Sequence, residues 1–349
     1  MTGMGMNKKG LILILGCSLG LLMGCDNQSD NTVTSQDTAL QSEIAELITR
    51  SKADMVFIEG GEFMMGDFGP LDKEKTGGLY YGIGDYGVRT IHKVSLKSYS
   101  LSRYQITFHD YLLYRKSKGL GNPYPIEHIN AKNRKRGFNN KVDSKNWVNF
   151  STNTPESPRQ SETPVYLPWE AAQEYCQWLG EQTGLPYSLP TEAQWEYAAR
   201  NRGQFVLYPT DNGLFEPGRN VPSYEQRKER KHLSGGSSLF PVGSFPALPL
   251  GLYDMGYNGF EWVNDWFDPD YYSHSPEADP QGPAEAVFTD GFGGTGFSKV
   301  VRGYEYPMDL IMTFFRTKQK LWLEYTPEVF DGFYFVTARC AINHDKPLN

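Results

Sequence analysis

Potential metal ligands are most concentrated in a short aromatic segment that runs from Asp254 to Trp266. Asn258 and Glu261 contribute side-chain oxygens to this segment, and Gly259 permits a tight turn in which backbone carbonyls point inward. Calcium accepts such a mixture of carboxylate, amide and carbonyl oxygens. The segment is therefore a candidate calcium site, and the alternative is a tryptophan-rich turn that packs without a metal.

The other residues with catalytic or metal-binding chemistry are dispersed. The histidines occur singly and form no close His-x-x-x-His pair, which leaves a local iron site without support. They are His92, His109, His128, His232, His274 and His344. The sequence contains no phosphate-binding loop, dinucleotide-binding glycine pattern or Gly-x-Ser-x-Gly turn. Its net charge of −7 argues against nucleic-acid binding, because phosphate contacts require clustered lysine and arginine.

Two amphipathic helices are predicted in the middle of the chain. In segment 189–200, Thr191 can cap a helix and Gln194 lies three residues later, which is the capping-box spacing. In segment 168–179, Pro168 is a favoured first helical residue. Each segment then carries an apolar stripe at helical spacing. The stripes are Trp195, Ala198 and Ala199 in one segment, and Ala172, Tyr175, Cys176 and Leu179 in the other.

Shorter patterns surround this helix pair and predict further elements from apolar spacing and turn residues. Before the helix pair they predict a helix through Leu40, Ile44, Leu47 and Ile48, and a strand at 55–58 that turns at Gly60–Gly61 into a second strand. They also predict a half-exposed strand at 92–101 and a helix capped by Thr107. After the pair, residues 224–232 are predicted to be a charged loop. After residue 200 the chain consists mostly of short aromatic segments between glycines and prolines. Such a chain is typical of a loop-rich α+β domain with short sheets.

The helix pair closely resembles the signature of the formylglycine-generating enzyme family, which is also called the sulfatase-modifying factor family. Other segments resemble further motifs of that family, and they occur in family order from about residue 55 to residue 345. These segments are Val56–Gly66, Pro241–Gly243, Gly251–Met255, Asn258–Trp262, Val301–Gly303 and Ala338–Ala341. The resemblance implies an elaborated C-type-lectin-like fold of the α+β class.

The resemblance also indicates where oxidase chemistry would be located. In formylglycine-generating enzymes, two cysteines after the Arg-Gly motif bind copper and activate oxygen. Here the matching segment, Val301–Lys320, contains no cysteine, and the two positions fall at Thr317 and near Ile311 or Met312. None of these side chains provides the thiolate that copper(I) ligation requires. We therefore expect no copper, and we assign no catalytic residue.

The resemblance assigns calcium ligands more narrowly than composition does. Family members with an Asn-x-x-Glu-Trp pattern bind a structural calcium, which implies Asn258, Gly259 and Glu261 as ligands. A second family site implies Asn220 and the carbonyl of Val221. The downstream aspartate of that second site has no recognisable counterpart in this chain, so the second site is the weaker prediction.

The first residues predict export and a lipid anchor. Lys8-Lys9 precedes a short apolar stretch, the pattern of a secretory signal at residues 1–24. Leu22–Cys25 resembles a bacterial lipobox, which would leave Cys25 as the acylated N-terminus; the alternative is an uncleaved anchor helix. Asp26 resembles an inner-membrane retention signal. The body is therefore expected in the cell envelope, facing the periplasm and held at the inner membrane by its lipid.

Two cysteines remain in the mature body once Cys17 leaves with the signal and Cys25 receives lipid. Such a pair in an exported domain predicts a disulfide between Cys176 and Cys340. The resemblance agrees, because family members with cysteines at both positions commonly bridge them. The alternative is two separate buried thiols.

The motif order predicts one domain at 55–345, which follows a tether and short helix at 25–54. Residues 121–164 lack apolar periodicity and are predicted to be an insertion, either a solvated loop or a partner-binding loop. The missing cysteines and single histidines favour a lipoprotein whose domain binds a protein partner in the envelope. The alternative is a metal-dependent oxidase or modifying enzyme of the same superfamily with other catalytic residues. The fold cannot decide between them, because function resides in the site.

Overall fold

The computed structural model describes residues 28–81, 87–120, 162–233, 239–288, 297–304, 311–320 and 336–348. The chain divides into two units, Met1–Gln41 and Ser42–Asn349, and the sheets and the candidate site belong to the second. The predicted signal, Cys25 and Asp26 lie outside the described residues, as does most of the insertion predicted at 121–164. In the part of the chain that is described, no helix combines the length and apolar composition needed to cross a membrane.

The first helix, α1, spans Gln28–Ala53. Its residues Ile44 and Leu47 are buried, as the helical spacing of apolar residues predicts. The helix is longer than predicted, because it includes residues 28–37, whose polar composition predicts a tether. That stretch contains neither glycine nor proline, and a helix that has formed elsewhere gains one hydrogen bond for each residue it adds.

Two shorter helices follow, α2 at Lys73–Thr76 and α3 at Phe108–Ser117. Thr107 caps α3 as predicted, since its hydroxyl accepts a hydrogen bond from the backbone N–H of Asp110 at 3.1 Å. Three residues in the middle of α3 are buried. These are Tyr111, Leu113 and Tyr114.

The predicted helix pair forms α4 (Trp169–Thr183) and α5 (Glu192–Ala199). Pro168 occupies the N-cap of α4 rather than its first turn. The capping box of α5 is complete. Thr191 accepts a hydrogen bond from the backbone of Gln194 at 3.2 Å, and the Gln194 side chain accepts one from the backbone of Thr191 at 3.0 Å.

A further helix, α6 (Tyr224–Leu233), occupies the segment predicted to be a charged loop. Ser223 accepts a hydrogen bond from the backbone of Gln226, whose side chain accepts one from the backbone of Ser223. The same reciprocal spacing as in α5 therefore begins this helix. Its glutamate, glutamine, lysine and arginine residues are good helix formers, so the loop prediction was wrong.

Short strands in the described residues form three sheets. They are β1 Met55–Ile58, β2 Gly61–Met65, β3 His92–Leu96, β4 Tyr99–Ser102, β5 Tyr187–Ser188, β6 Phe260–Trp266, β7 Ser298–Arg302, β8 Arg316–Lys320, β9 Val336–Thr337 and β10 Ala341–Asn343. The first sheet has the order β1-β4-β10-β5, the second is β2-β3, and the third has the order β8-β7-β6-β9. The pairing of β6 with β9 is parallel, and the other pairings are antiparallel.

The strand predicted at 92–101 is two strands in different sheets, because β3 pairs with β2 whereas β4 pairs with β1 and β10. The chain also changes sheets between β1 and β2, at Gly60. The connection from β1 to β2 packs against the connection from β3 to β4. A Cβ added to Gly60 in the first connection would lie 2.2 Å from the carbonyl oxygen of Leu96, where the second begins. Only glycine fits at residue 60, and the close contact lies where the strand predicted at 92–101 divides into β3 and β4.

The core lies where α5 contacts β2, β3, β6 and β7. Because these strands come from two sheets, all eight residues of α5 are buried, rather than the single face that the periodicity predicts. Trp195 of α5 is fully buried in this core with Leu101 and Val263. A disulfide joins Cys176 of α4 to Cys340, next to β10, with 5.7 Å between their Cα atoms. This is the pairing that the family resemblance implies.

Candidate functional site

The two positions to which the family resemblance assigns the copper-binding cysteines are filled by side chains that provide no thiolate. Ile311 is fully buried in the same apolar cluster as Tyr257. Met312 packs in a second cluster with Phe68. Thr317 lies on β8, paired with β7. Apolar packing therefore surrounds Ile311 and Met312, whereas Thr317 is a half-buried polar residue of β8.

Beside these positions lies a buried network of carboxylates and guanidiniums. Arg302 of β7 donates from Nη1 to Glu192 at 2.8 Å and from Nη2 to Glu196 at 2.9 Å. The second oxygen of Glu196 accepts hydrogen bonds from Arg200 and from the backbone of Gly66, both at 2.9 Å. The four charged side chains are at most 2% exposed. The network holds α5 against two strands of different sheets.

Arg316, which precedes Thr317, belongs to the same network. Its Nε lies 2.8 Å from Glu192, and its guanidinium lies 4.8 Å and 4.7 Å from the ring centroids of Phe267 and Tyr272. The hydroxyl of Tyr272 donates to the same carboxylate at 3.0 Å. We call the five charged residues of this network the ionic core. They are Glu192, Glu196, Arg200, Arg302 and Arg316.

The ionic core keeps the carboxylate of Glu192 charged. Burial raises the pKa of Glu192, but the charges of Arg316 and Arg302 outweigh burial and leave this pKa below its usual value. A general acid or base needs a pKa near the working pH, and a carboxylate fixed between two guanidiniums does not have one. Glu192 therefore serves as an ion-pair partner and is poorly suited to act as a general acid or base.

Two neighbouring groups have pKa values shifted toward neutrality. Burial, reinforced by the charge of Glu192, raises the pKa of Asp265 to about 7. Burial lowers the pKa of Lys299 to about 8, and its ammonium lies 4.2 Å and 3.8 Å from the ring centroids of Trp169 and Trp266. Such shifts mark candidate functional groups. However, Asp265 is 2% exposed and Lys299 is 4% exposed, so in this structure neither group is accessible to a substrate.

The residues of the predicted calcium site lie together, but their oxygens have protein partners. Arg339 donates from Nε and Nη2 to the two oxygens of Glu261, at 2.7 Å each, and the Trp195 indole donates to Glu261 at 2.9 Å. The Asn258 carboxamide bonds the backbone of Phe240 through both its oxygen and its nitrogen, at 3.0 Å. Calcium would need these oxygens for itself. The residues as arranged do not fit the ion, and the calcium site stays a prediction.

Gly259 provides the predicted turn between Asn258 and Glu261. Its φ of +101° lies in the region that favours glycine. The side chains described in the structure contain no group of three or more histidine, cysteine, aspartate or glutamate residues that could hold a metal ion. The turn is therefore present as predicted, while the carboxylate of Glu261 is the ion-pair partner of Arg339.

The second predicted calcium site is similarly engaged. The carbonyl of Val221 accepts a hydrogen bond from the backbone of Gly218 at 2.7 Å. The amide nitrogen of Asn220 lies 3.0–3.4 Å from four oxygens of residues 211–216. Arg219 forms ion pairs with the carboxylates of this loop. Arg219 thus places a positive charge beside Asn220, on the carboxylates that a cation would otherwise attract.

Sequence analysis missed a set of exposed apolar side chains around Phe68, which we call the apolar patch. Its members are Leu71, Leu79, Tyr80 and Phe205, with exposures of 44%, 72%, 47% and 45%. The ring of Phe205 lies 5.3 Å from that of the buried Phe68. A Cβ added to Gly69 would lie 2.3 Å from the carbonyl oxygen of Leu79, so this glycine allows the two segments to meet. No periodicity connects these residues, because they come from separate loops.

Comparison with known proteins identifies one family. The family described as sulfatase-modifying factor enzyme 1-like domain matches residues 41–332. The chain is similar to the formylglycine-generating enzyme of Streptomyces coelicolor, with 28% identity over 277 residues, 74% of this chain and 80% of that protein. It is also similar to the serine/threonine-protein kinase pkn1 of Chlamydia caviae, with 29% identity over 238 residues, 67% of this chain but 32% of the kinase.

A further relative and one solved structure complete the comparison. The chain is 26% identical over 237 residues to the Bos taurus protein named inactive C-alpha-formylglycine-generating enzyme 2, covering 62% of this chain and 72% of that protein. The structure of PvdO from Pseudomonas aeruginosa matches with a TM-score of 0.50 and 22% identity, over 83% of this chain and 94% of that one. This last likeness concerns the fold.

Proposed function

The chain belongs to the sulfatase-modifying factor enzyme 1-like family, and we propose that it acts in the cell envelope as a non-catalytic binding module. The family prediction and the predicted loop-rich α+β fold are both confirmed. A family fold carries many functions, so the proposal is argued from particular sites.

The packing at the family's cysteine positions carries the non-catalytic part of the proposal. Ile311 and Met312 are buried among apolar side chains, where copper chemistry would need thiolates and room for oxygen and substrate. Arg316 is bound to the ionic core rather than directed to a ligand. The Bos taurus relative is named inactive. That name supports the view that a domain of this family can serve without the oxidase reaction.

The apolar patch supports the binding part of the proposal. Several exposed apolar side chains in one region of a protein surface are typical of an interaction surface. Aromatic residues are enriched among the anchors of such surfaces, and Tyr80 and Phe205 provide two. The guanidinium of Arg89 lies 6.0 Å from the Tyr80 ring and supplies a polar margin. We infer a protein partner that buries these side chains, and the predicted insertion at 121–164 is a second candidate contact.

Capture of a partner from envelope extracts tests this surface. We expect Leu79→Ser combined with Phe205→Ser to reduce capture by about tenfold or more, because anchor residues carry most of the binding energy. The matched control is Leu214→Ser combined with Val287→Ser, two residues that are 58% and 59% exposed outside the patch. Equal capture by the two double variants, both with wild-type melting temperatures, would contradict the binding surface.

An oxygen-uptake assay tests the absence of oxidase activity. With copper and cysteine-containing peptides, the purified protein should consume no oxygen above a protein-free control. Turnover that persists after both Cys176 and Cys340 are replaced by serine would instead support the alternative, a modifying enzyme with other catalytic residues.

We propose lipid attachment at Cys25 and, from Asp26, retention at the inner membrane with the body facing the periplasm. Both proposals rest on the sequence pattern at residues 1–26. Replacing Cys25 with alanine should stop signal processing and abolish membrane partitioning of a processed form. A variant that is still cleaved, and that fractionates like the wild type, would contradict the lipid anchor.

A further inference from the structure

A cavity of about 530 Å³ lies beside the disulfide, and it is lined by none of the residues of the ionic core or the apolar patch. Its walls include the C-terminal end of α1, the connection from β4 to α3, and the first turn of α3. Cys340 lines it as well. Its volume is within the range of small-molecule sites, roughly 300–1,000 Å³.

Gln105, in the wall of this cavity, is 2% exposed. Its side-chain nitrogen has hydrogen-bond partners, and its side-chain oxygen has none. Its Nε2 donates to the carbonyl of Asn258 at 3.2 Å and to Oγ1 of Thr337 at 2.9 Å. The Thr337 hydroxyl donates its own hydrogen to the carbonyl of Phe260 at 2.8 Å, so toward Gln105 it can only accept. Both partners of Nε2 are therefore acceptors, which fixes the orientation of the amide. Its Oε1 is left buried without a hydrogen-bond partner.

The charged residues of the cavity leave carboxylates in excess. Arg50 is bound to Asp110 by a hydrogen-bonded ion pair. The carboxylate of Asp54 has one distant ion-pair partner among the described residues, Arg103, whose Nε lies 3.7 Å away. Glu162 adds a further carboxylate to the wall. Burial raises the pKa of Asp54, which reflects the cost of holding its charge there without a close donor.

We propose that this cavity binds an organic cation that carries an alkylammonium or guanidinium group. Such a group combines positive charge with several N–H donors, which complements a carboxylate and an unpartnered amide oxygen. Tyr104 adds an aromatic side chain to the wall, and aromatic rings attract cations. The group can belong to a free amine or to a lysine or arginine side chain of a peptide. This inference goes beyond the proposed function, because the cavity and the apolar patch share no residue.

Calorimetric titration of the whole protein tests the cavity, with n-butylammonium and N-acetyl-lysine methylamide as probes. Both should bind, whereas 1-butanol and butyrate, which lack the cationic donor, should not. Asp54→Asn preserves shape and removes the charge, so it should weaken binding about tenfold or more. The matched control is Asp345→Asn, which removes the same charge from an exposed residue outside the cavity and should leave the affinity unchanged.

A second variant addresses the amide oxygen. Gln105→Met removes Oε1 with little change in volume and should weaken binding by roughly fivefold; if it unfolds, Asp54→Asn decides alone. Equal affinity for butylammonium and 1-butanol, or equal affinity of Asp54→Asn and Asp345→Asn, would overturn the proposal. Tighter binding of the lysine derivative than of butylammonium would assign the group to a peptide, and the reverse would assign it to a free amine.

Discussion

The ionic core and the cavity beside the disulfide hold polar groups in opposite ways. In the ionic core, Glu192 and Glu196 each meet two guanidiniums at 2.8–2.9 Å. In the cavity, Asp54 has its described partner at 3.7 Å and the oxygen of Gln105 has none. Strong charge alone therefore does not mark a site. In the ionic core every carboxylate is paired with guanidiniums, while in the cavity Asp54 and Gln105 have acceptor oxygens without a close donor.

The largest effect should come from breaking the ionic core. Arg302→Met removes the guanidinium that bridges Glu192 and Glu196 and leaves two buried carboxylates undercompensated. We expect a loss of about 5 kcal/mol in the free energy of unfolding, measured by urea denaturation. The control is Arg219→Met, which removes an exposed arginine that also bridges two carboxylates and should change stability little. Similar midpoints for the two variants would mean that the ionic core is not what holds α5 in place.

A somewhat smaller effect is expected at the pair Glu261–Arg339. Glu261→Gln leaves a buried arginine without its counter-charge and should cost about 4 kcal/mol of unfolding free energy. Glu74→Gln, an exposed residue of α2, is the control. Melting with and without calcium then tests the metal prediction in the same proteins. A rise confined to the wild type and Glu74→Gln would mean that calcium displaces the guanidinium of Arg339 from Glu261.

The disulfide beside the cavity should contribute less. Replacing both Cys176 and Cys340 with serine should lower the unfolding free energy by about 3 kcal/mol, because the cross-link restricts the unfolded chain. Alkylation of the unreduced, denatured wild type should label neither residue. Stoichiometric labelling of both would show that the bond is absent in the protein as isolated.

The smallest effect concerns pH and Asp265. Its pKa in the folded state is about 7, above its ordinary value of 3.8, so ionisation opposes folding. The stability it contributes is complete below about pH 4 and is lost as the pH rises through 7. Asp265→Asn keeps an acceptor for the backbone N–H of Glu192 and abolishes the ionisation. Between pH 5 and pH 8 the wild type should therefore lose roughly 2 to 3 kcal/mol of unfolding free energy that the variant keeps.

The comparison for Asp265 is made at pH 5 and pH 8, where Glu192 stays ionised. The lowered pKa of Glu192 acts in the opposite direction, since its contribution is present above the ordinary carboxyl pKa and is lost as the pH falls further. Lys299 faces Asp265 as well, and its own pKa of about 8 makes the control Lys299→Met useful. Parallel stability curves for wild type and Asp265→Asn would contradict the assignment.

Local rules predicted the local features of this fold. The capping box at Thr191, the cap at Thr107 and the strand at 55–58 all depend on residues a few positions apart, and all are present. Ser223 and Gln226 have the same capping-box spacing, but the charged composition of residues 224–232 led to the prediction of a loop. Reading the capping spacing before the charge pattern would have found α6.

Long-range contacts explain what the sequence did not predict. The break inside 92–101 depends on Gly60, more than thirty residues earlier, which touches the carbonyl of Leu96. Glu261 was assigned to calcium because its sequence neighbours fit a metal loop, yet its partner is Arg339. Nothing in the spacing of these residues indicates which arginine reaches which carboxylate. The apolar patch was missed for the same reason, since its side chains meet only after folding.

The place of β10 has a consequence for how the chain is made. This strand, Ala341–Asn343, lies between β4 and β5, both of which leave the ribosome long before it. Until β10 arrives, each of those strands has an open edge, and open edges recruit other chains. A product truncated before Ala341 would keep both edges and should form aggregates, whereas three more residues close both at once. The short strand therefore closes two open edges only after the strands on both sides of it have been made.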